Sequence, residues 1–179
     1  MKKDFDAAWR QAARGYRPGK DGKWRCVVFL SPLNWLYPDR EFSEEDMRAL
    51  EAKCLRHIGR KDDVMIVRTV RGNGDIPPFD PGFTEVCELA LNREVDCVAV
   101  PDLRHFAGSS RLAYHWVRDI MAPARIRFLD ASWRFDSLTC DVDAYIARVK
   151  GGNISKKNAR HPSKHKKRKG GRKGGKKGE

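Results

Sequence analysis

Four apolar runs punctuate the chain between residues 24 and 130, and a stretch with helical periodicity separates each run from the next. The runs lie near residues 24–30, 64–70, 95–100 and 125–130. Short apolar runs, of which residues 26–30 are an unbroken example, are typical of strands buried on both faces of a parallel sheet. Strands that alternate with helices predict an α/β fold in three layers, with a mostly parallel sheet of about four to five strands and helices on both faces.

The helices predicted between these strands have recognisable first residues. Ser43 and Asp46 form a capping-box pattern, Pro81 stands where helices often begin, and Ser109 can cap a third helix that stops at Pro123. A last, short helix is predicted after residue 140. The residues expected on the buried faces recur at helical spacing and include Met47, Ile58, Phe83, Val86, Leu112, Trp116, Ile120, Met121, Tyr145, Ile146 and Val149.

Charge divides the chain into two unequal parts. The formal net charge is +13, but from Lys150 onward thirteen Lys and Arg face one acid, Glu179, whereas residues 1–149 are nearly neutral at +1. We therefore predict an N-terminal extension over residues 1–23, a folded domain over 24–150 and a disordered basic tail over 151–179. A dense cationic run binds phosphate by counterion release. The candidate nucleic-acid-binding residues of the tail are Lys164, Lys166, Lys167, Arg168, Lys169, Arg172 and Lys173.

The cysteine content indicates the compartment. Five cysteines without a CxxC pair suit a reducing cytoplasm, and no run is long enough to span a membrane. Cys54 and His57 have the spacing of half a zinc site, but no second half is present in the sequence. We expect a cytoplasmic protein with no metal and no cofactor.

Ser31 follows the first strand directly, and the loop PDLRHFAG, residues 101–108, follows the third. Together with CVVFLS at 26–31, FDPGFTEVCELALNREVDCVAV at 79–100 and IRFLDASWRFDS at 126–137, these segments resemble the catalytic domain of the resolvase/invertase-type serine recombinases. The likeness is greatest to the large members found in mobile elements, and it covers roughly residues 24–149. It implies a sheet with strand order 2-1-3-4.

The resemblance also implies a chemistry. Serine recombinases attack a DNA phosphodiester with a serine hydroxyl, form a 5′-phosphoserine link and use no metal, so Ser31 is the candidate nucleophile. DNA is the implied partner, and the chain itself or an active recombinase is a candidate partner in an oligomer. DNA recombination or integration is the implied process.

The arginines that the resemblance requires are absent. They fall on Phe29, Asp80, His105 and Gly108. Because an arginine on phosphoryl oxygens contributes roughly 10³- to 10⁵-fold to such reactions, losing several abolishes useful cleavage. Arg104 and His105 remain as candidate catalytic residues beside Ser31.

The loop between the second strand and the next helix holds a further candidate. Gly72-x-Gly74 is a glycine pattern that can cradle a phosphate, although no helix follows it directly. We expect Ser31, His105 and the region of Ser109 to converge at one edge of the sheet, with Asp80 on a nearby flexible loop.

Three functions fit the sequence. The first is a serine-recombinase-like domain with degenerate chemistry, acting as a DNA-associated or recombinase-associated protein, and it is the function that the missing arginines favour. The second is a nucleic-acid-binding protein that uses the basic tail, with the fold as scaffold. The third is an active recombinase that forms a link between Ser31 and DNA.

Overall fold

The computed structural model describes residues 7–9, 11, 14–15, 17–19, 21–77, 79–107 and 109–151. Its five strands form one sheet, in the order β2-β1-β3-β4-β5. The first four strands are parallel to one another, and β5 pairs antiparallel with β4. The predicted order 2-1-3-4 is therefore confirmed. The strands are β1 (Trp24–Leu30), β2 (Val64–Arg71), β3 (Cys97–Val100), β4 (Arg127–Asp130) and β5 (Phe135–Asp136).

Four α-helices within residues 21–151 connect and cover the sheet. They are α1 (Glu44–Ile58), α2 (Pro81–Leu91), α3 (Ser110–Tyr114) and α4 (Val142–Gly151), and a short 3₁₀ turn spans Leu103–His105. None of the helices described here is long and apolar enough to cross a membrane. Gly108 and the basic tail from residue 152 lie outside the described residues, as do all the candidate nucleic-acid-binding residues of the tail.

Two hydrophobic clusters lie on the two faces of the sheet. Cys26, Val28 and Leu30 of β1 pack in the cluster that contains α1, whereas Val27 and Phe29 pack in the cluster that contains the other helices. Successive side chains of a strand point to opposite faces, so the apolar residues 26–30 of β1 supply both clusters. The predicted three-layer α/β fold is confirmed.

Helix α1 begins where the capping-box pattern of Ser43 and Asp46 predicts. The Ser43 hydroxyl accepts from the Asp46 N–H at 3.1 Å, and the Asp46 carboxylate accepts from the Ser43 N–H at 2.9 Å. This reciprocal pair is a capping box, and it satisfies two N–H groups that a helix start leaves without partners. Because α1 follows β1, its N-terminus lies at the carboxyl edge of the sheet.

The third helix differs from the uniform α-helix that the spacing predicts. After Ser110–Tyr114 the backbone widens into a π-helix over His115–Met121. A π-helix has more residues per turn than an α-helix. Trp116, Val117, Ile120 and Met121 are buried in it.

At the amino-terminal edge of the sheet, a buried ion pair fastens β5 to β4. Arg127 donates to both oxygens of Asp136 at 2.9 and 2.7 Å, and Lys61 donates to the same carboxylate at 2.5 Å. Burial by itself raises the pKa of Asp136, but the hydrogen bonds from Arg127 and Lys61 outweigh it and lower the pKa to about 2. This carboxylate therefore stays ionised, and both of its oxygens accept hydrogen bonds within the domain.

Candidate active site

Ser31 lies at the carboxyl edge of the sheet, one residue beyond β1, and only 3% of its surface is exposed. Its hydroxyl donates to Asp80 Oδ2 at 2.6 Å and accepts from the Gly74 N–H at 3.1 Å. A nucleophile needs an approach path for its substrate. The Ser31 hydroxyl instead faces a carboxylate and a backbone amide of its own chain.

Asp80 is the group that closes this pocket. It is fully buried, and its side chain caps α2 by accepting from the Gly82 N–H at 2.8 Å. The same carboxylate accepts from the N–H groups of Asn73 at 3.3 Å and Gly74 at 3.2 Å. Together with Ser31 these donors give the carboxylate four hydrogen bonds, which compensates for the cost of burying its charge.

Asp80 is therefore a buried helix cap, whereas the resemblance led us to expect it on a flexible loop. The reason is local: an Asp directly before Pro81 is a strong N-cap signal, because Asp accepts from the first free N–H groups and Pro suits the first helical position. The Asp-Pro pair in the sequence could have revealed this cap. The additional bonds to Asn73 and Gly74 depend on the folded path of the loop.

The Gly72-x-Gly74 pattern does form a cradle for an anion, and the anion is Asp80. A Cβ on Gly72 would stand 2.2 Å from Asp80 Oδ2, and Gly74 has φ of +93°, which favours glycine. The approach of an internal carboxylate thus explains Gly72, whereas the positive φ and the close approach of Asn34 explain Gly74. The predicted phosphate cradle is occupied by a side chain of the protein itself.

His105 joins this pocket from the turn after β3. It is 2% exposed, and its Nδ1 lies 2.7 Å from the carbonyl oxygen of Ser31. Burial lowers the pKa of His105 to about 4, so the ring is neutral at pH 7. Since a carbonyl only accepts, Nδ1 carries the proton and donates it to Ser31 O. A neutral ring places no positive charge beside Ser31.

The guanidinium of Arg104 forms its hydrogen bonds with Asp102 and Tyr37 rather than with Ser31. Its Nε and Nη2 donate to the two oxygens of Asp102 at 2.8 and 3.1 Å, and its Nη1 donates to the Tyr37 hydroxyl at 2.9 Å. The structure thus brings Ser31 and His105 together and commits Arg104 to a different set of partners.

Phe29, Arg68 and Arg71, three described residues near the ends of β1 and β2, supply no cation to Ser31. Phe29, where the resemblance requires arginine, is buried with its ring centroid 6.2 Å from that of Phe106. Arg68 forms an ion pair with Glu85 at 2.6 Å, and Arg71 pairs with Glu44 at 2.8 Å. Arg68 and Arg71, at the end of β2, therefore form surface ion pairs with other residues of the domain.

A buried acid at the end of β4 was not singled out by the sequence. Asp130 accepts from the Tyr145 hydroxyl at 2.6 Å, from the Leu103 N–H at 2.9 Å and from the Trp133 N–H at 3.1 Å. Burial raises the pKa of Asp130 to about 6. Asp130 therefore links the 3₁₀ turn that contains His105 to α4. In the sequence, only its position at the end of a predicted strand could have indicated this role.

A cleft of about 380 Å³ opens on the α1 face of the same edge. One stripe of α1 lines it, together with the turn that contains Arg104 and His105 and with Ser132 beyond β4. His105 thus stands between two polar regions, with Ser31 and Asp80 on one side and this cleft on the other.

The residues described by the structure include no group of three or more His, Cys, Asp or Glu side chains placed to hold a metal ion. Cys54 is buried, and burial raises the pKa of its thiol well above its ordinary value, which disfavours the thiolate that zinc needs.

Solved structures with the same fold were found. The N-terminal catalytic domain of TP901-1 integrase superposes with a TM-score of 0.56 at 13% identity, over 71% of this chain and 92% of that one. A resolvase family site-specific recombinase from Streptococcus pneumoniae superposes with a TM-score of 0.52 at 14% identity, over 72% of this chain and 87% of that one. No family model and no curated protein matches the sequence. The chain therefore has the fold of serine recombinase catalytic domains, as the resemblance implied.

Proposed function

We propose that this chain is a non-catalytic protein with a serine recombinase fold that acts in association with DNA. The observation that carries the proposal is the bond of 2.6 Å from the Ser31 hydroxyl to the buried Asp80 carboxylate. The working unit is residues 24–150, flanked by the extension 1–23 and the basic tail 151–179.

Electrostatics argues against attack of Ser31 on DNA. A phosphate that approached Ser31 would bring its charge within about 5 Å of Asp80, which costs about 3 kcal/mol at an effective dielectric constant of about 20. The resemblance places an arginine at this position, where it would attract the phosphate. Reversing that charge adds to the roughly 10³-fold or larger loss expected for each missing arginine.

Association with DNA is supported from two sides. The two solved relatives are named as an integrase and a site-specific recombinase, and thus as proteins that act on DNA. The segment from Lys150 onward has a net charge of +12, which suits phosphate contact without base recognition. We place this function in the cytoplasm, because all five cysteines are free thiols.

The experiment is a search for a covalent protein–DNA adduct. The full chain is incubated with supercoiled plasmid and with duplex DNA, quenched with detergent and resolved under denaturing conditions, beside an active serine recombinase on its own site. We expect no adduct and no change of plasmid topology, in the wild type or in Ser31→Ala. An adduct that forms with the wild type and is lost in Ser31→Ala would establish the active-recombinase alternative.

A further inference from the structure

The cleft on the α1 face is the strongest unexplained feature of the described surface. The α1 residues that line it are Asp46, Ala49, Leu50, Lys53 and Arg56, which recur at helical spacing. Ten residues of helix separate the first from the last, so this stripe is about 15 Å long. It is much longer than one small anion requires, and it suits a ligand with extended shape.

Two of the cations that line the cleft are neutralised by their neighbours. Arg40 forms an ion pair with Asp46 at 3.0 Å, and Arg104 forms one with Asp102 at 2.8 Å. The Tyr37 hydroxyl accepts a further bond from Arg104 and fixes its guanidinium at the mouth of the cleft. These pairs give the cleft its shape and contribute no net charge.

The other two cations have no carboxylate partner within the described part of the chain. Lys53 donates to the Ser132 hydroxyl at 2.5 Å, and Ser132 in turn donates to the Pro101 carbonyl at 2.7 Å. Arg56 lies one helical turn beyond Lys53 and is exposed. Since His105 is neutral, the cleft carries a net charge of about +2, whereas residues 1–149 as a whole sum to +1.

We propose that this cleft binds the phosphodiester backbone of DNA through Lys53 and Arg56. The proposal deepens the proposed function, because it takes DNA as the source of the phosphate. A phosphodiester has two free oxygens and one negative charge, so an ammonium and a guanidinium one turn apart on a helix match it in charge and in number of donors. The length of the stripe leaves room for a neighbouring phosphate, which a free anion does not use.

The position of the cleft explains why the pocket of Ser31 and the phosphate site are separate. Ser31 and Asp80 belong to the α2 side of the sheet, whereas Lys53 and Arg56 belong to the α1 side. DNA held in the cleft therefore lies beside His105, and the Ser31 hydroxyl stays closed behind the sheet edge. Binding then proceeds without cleavage.

The test compares two double variants of the full chain that each remove two positive charges. Lys53→Gln with Arg56→Gln alters the cleft, and Lys23→Gln with Arg60→Gln removes the same charge from the opposite edge of the sheet. Affinity for a 12-base-pair duplex DNA is measured by fluorescence anisotropy between about 50 and 200 mM salt. Thermal unfolding by circular dichroism checks that each variant is folded.

We expect the cleft variant to bind roughly tenfold more weakly at low salt and to reduce the slope of log K against log salt by about 1 to 2. The opposite-edge variant should change affinity less than about threefold, and Lys53→Arg with Arg56→Lys should restore binding, because the charges return. Equal losses in the two Gln variants would overturn the proposal and leave the DNA association of the proposed function intact.

A second arm identifies the source of the phosphate. The side-chain NMR signals of Lys53 and Arg56 are followed while duplex DNA or inorganic phosphate is added at constant ionic strength. We expect DNA to shift both signals at micromolar concentration and inorganic phosphate to need a concentration at least about 100-fold higher, because a free anion gains no neighbouring contacts. A response to inorganic phosphate alone would overturn the assignment to DNA. If the wild type bound no DNA, both the proposed DNA association and the proposed cleft site would be refuted. A covalent adduct at Ser31 would refute only the proposal that the protein is non-catalytic.

Discussion

The two polar regions that meet at His105 satisfy their charges in opposite ways. On the α2 side, the Asp80 carboxylate is buried and receives four hydrogen bonds from its own chain. On the α1 side, Lys53 and Arg56 line an open cleft without a carboxylate partner among the described residues. One region is anionic, closed and saturated, and the other is cationic and open.

We infer from this difference that, at this edge of the sheet, one set of residues stabilises the fold and another set binds a ligand. Buried polar groups with complete hydrogen bonding hold loops and helix ends in place, whereas unpaired surface cations add little to stability and are available to a ligand. Substitutions on the α2 side should therefore act on folding. Substitutions on the α1 side should act on DNA affinity.

The largest effect is expected from Asp80→Ala. It removes the cap of α2 and the carboxylate that the buried donors of Gly74, Gly82 and Ser31 share, so we expect a loss of about 4 kcal/mol in the free energy of unfolding. Urea denaturation measures it. Asp46→Ala, at an exposed capping box, is the matched control and should cost much less than Asp80→Ala. A loss below about 1 kcal/mol for Asp80→Ala would contradict the closed pocket.

The next effect is a pH dependence carried by His105. Its pKa is about 4 when folded and near 6.5 when unfolded, so between these values the unfolded chain binds the extra proton and stability falls as the pH falls. From pH 6.5 to 4 this amounts to about 3 kcal/mol. His105→Asn keeps a donor for the Ser31 carbonyl, and we expect it to remove this loss, as measured by urea denaturation at several pH values. An unchanged pH profile would refute the neutral buried ring.

Asp130 should act with the opposite sign in the same range. Its pKa is about 6 when folded and near 3.8 when unfolded, so the folded protein binds the extra proton and stability falls as the pH rises through this window. The magnitude is again about 3 kcal/mol, and the two groups largely offset each other in the wild type. Asp130→Asn should therefore make the protein more sensitive to acid than the wild type in the same denaturation series. A variant that is less sensitive would reverse the assigned sign.

The smallest of these effects is expected from Ser31→Ala. It removes one of four bonds to Asp80 and leaves the three N–H donors in place, so we expect a loss of about 1 kcal/mol in thermal or urea unfolding. Ser132→Ala is the control on the α1 side, because it removes a hydroxyl from the partner of Lys53. A loss of DNA affinity in Ser31→Ala that exceeds the loss in Ser132→Ala would break the division between the two regions.

The fold could be predicted from the sequence because its signals are local. The apolar runs of β1 and β3, the capping box of Ser43 and Asp46 and the stripe of α2 each depend on residues close in the chain, and each is present in the structure. The π-helical turn around Val117 was missed, because α-helical spacing assumes a constant number of residues per turn.

The candidate site could be predicted only as a location. The order of the strands places Ser31 and His105 at one edge, but whether a hydroxyl is open or closed depends on a loop whose path is set by Gly74 and Asp80. The cleft was missed for a related reason. Lys53 and Arg56 look like ordinary surface cations in the sequence, and only the packing of α1 against the turn after β3 places them beside a concave surface.

The filling of the Gly72-x-Gly74 cradle by Asp80 also has an evolutionary consequence. An arginine at position 80 only donates, so it would face the N–H groups of Asn73, Gly74 and Gly82 and remove the carboxylate that accepts from all three. A single substitution to arginine therefore cannot place a positive charge beside Ser31 without rebuilding the loop. Asp80 and the loop that contains Gly72 and Gly74 therefore constrain each other, so a change of charge at position 80 is tolerated only together with changes in this loop.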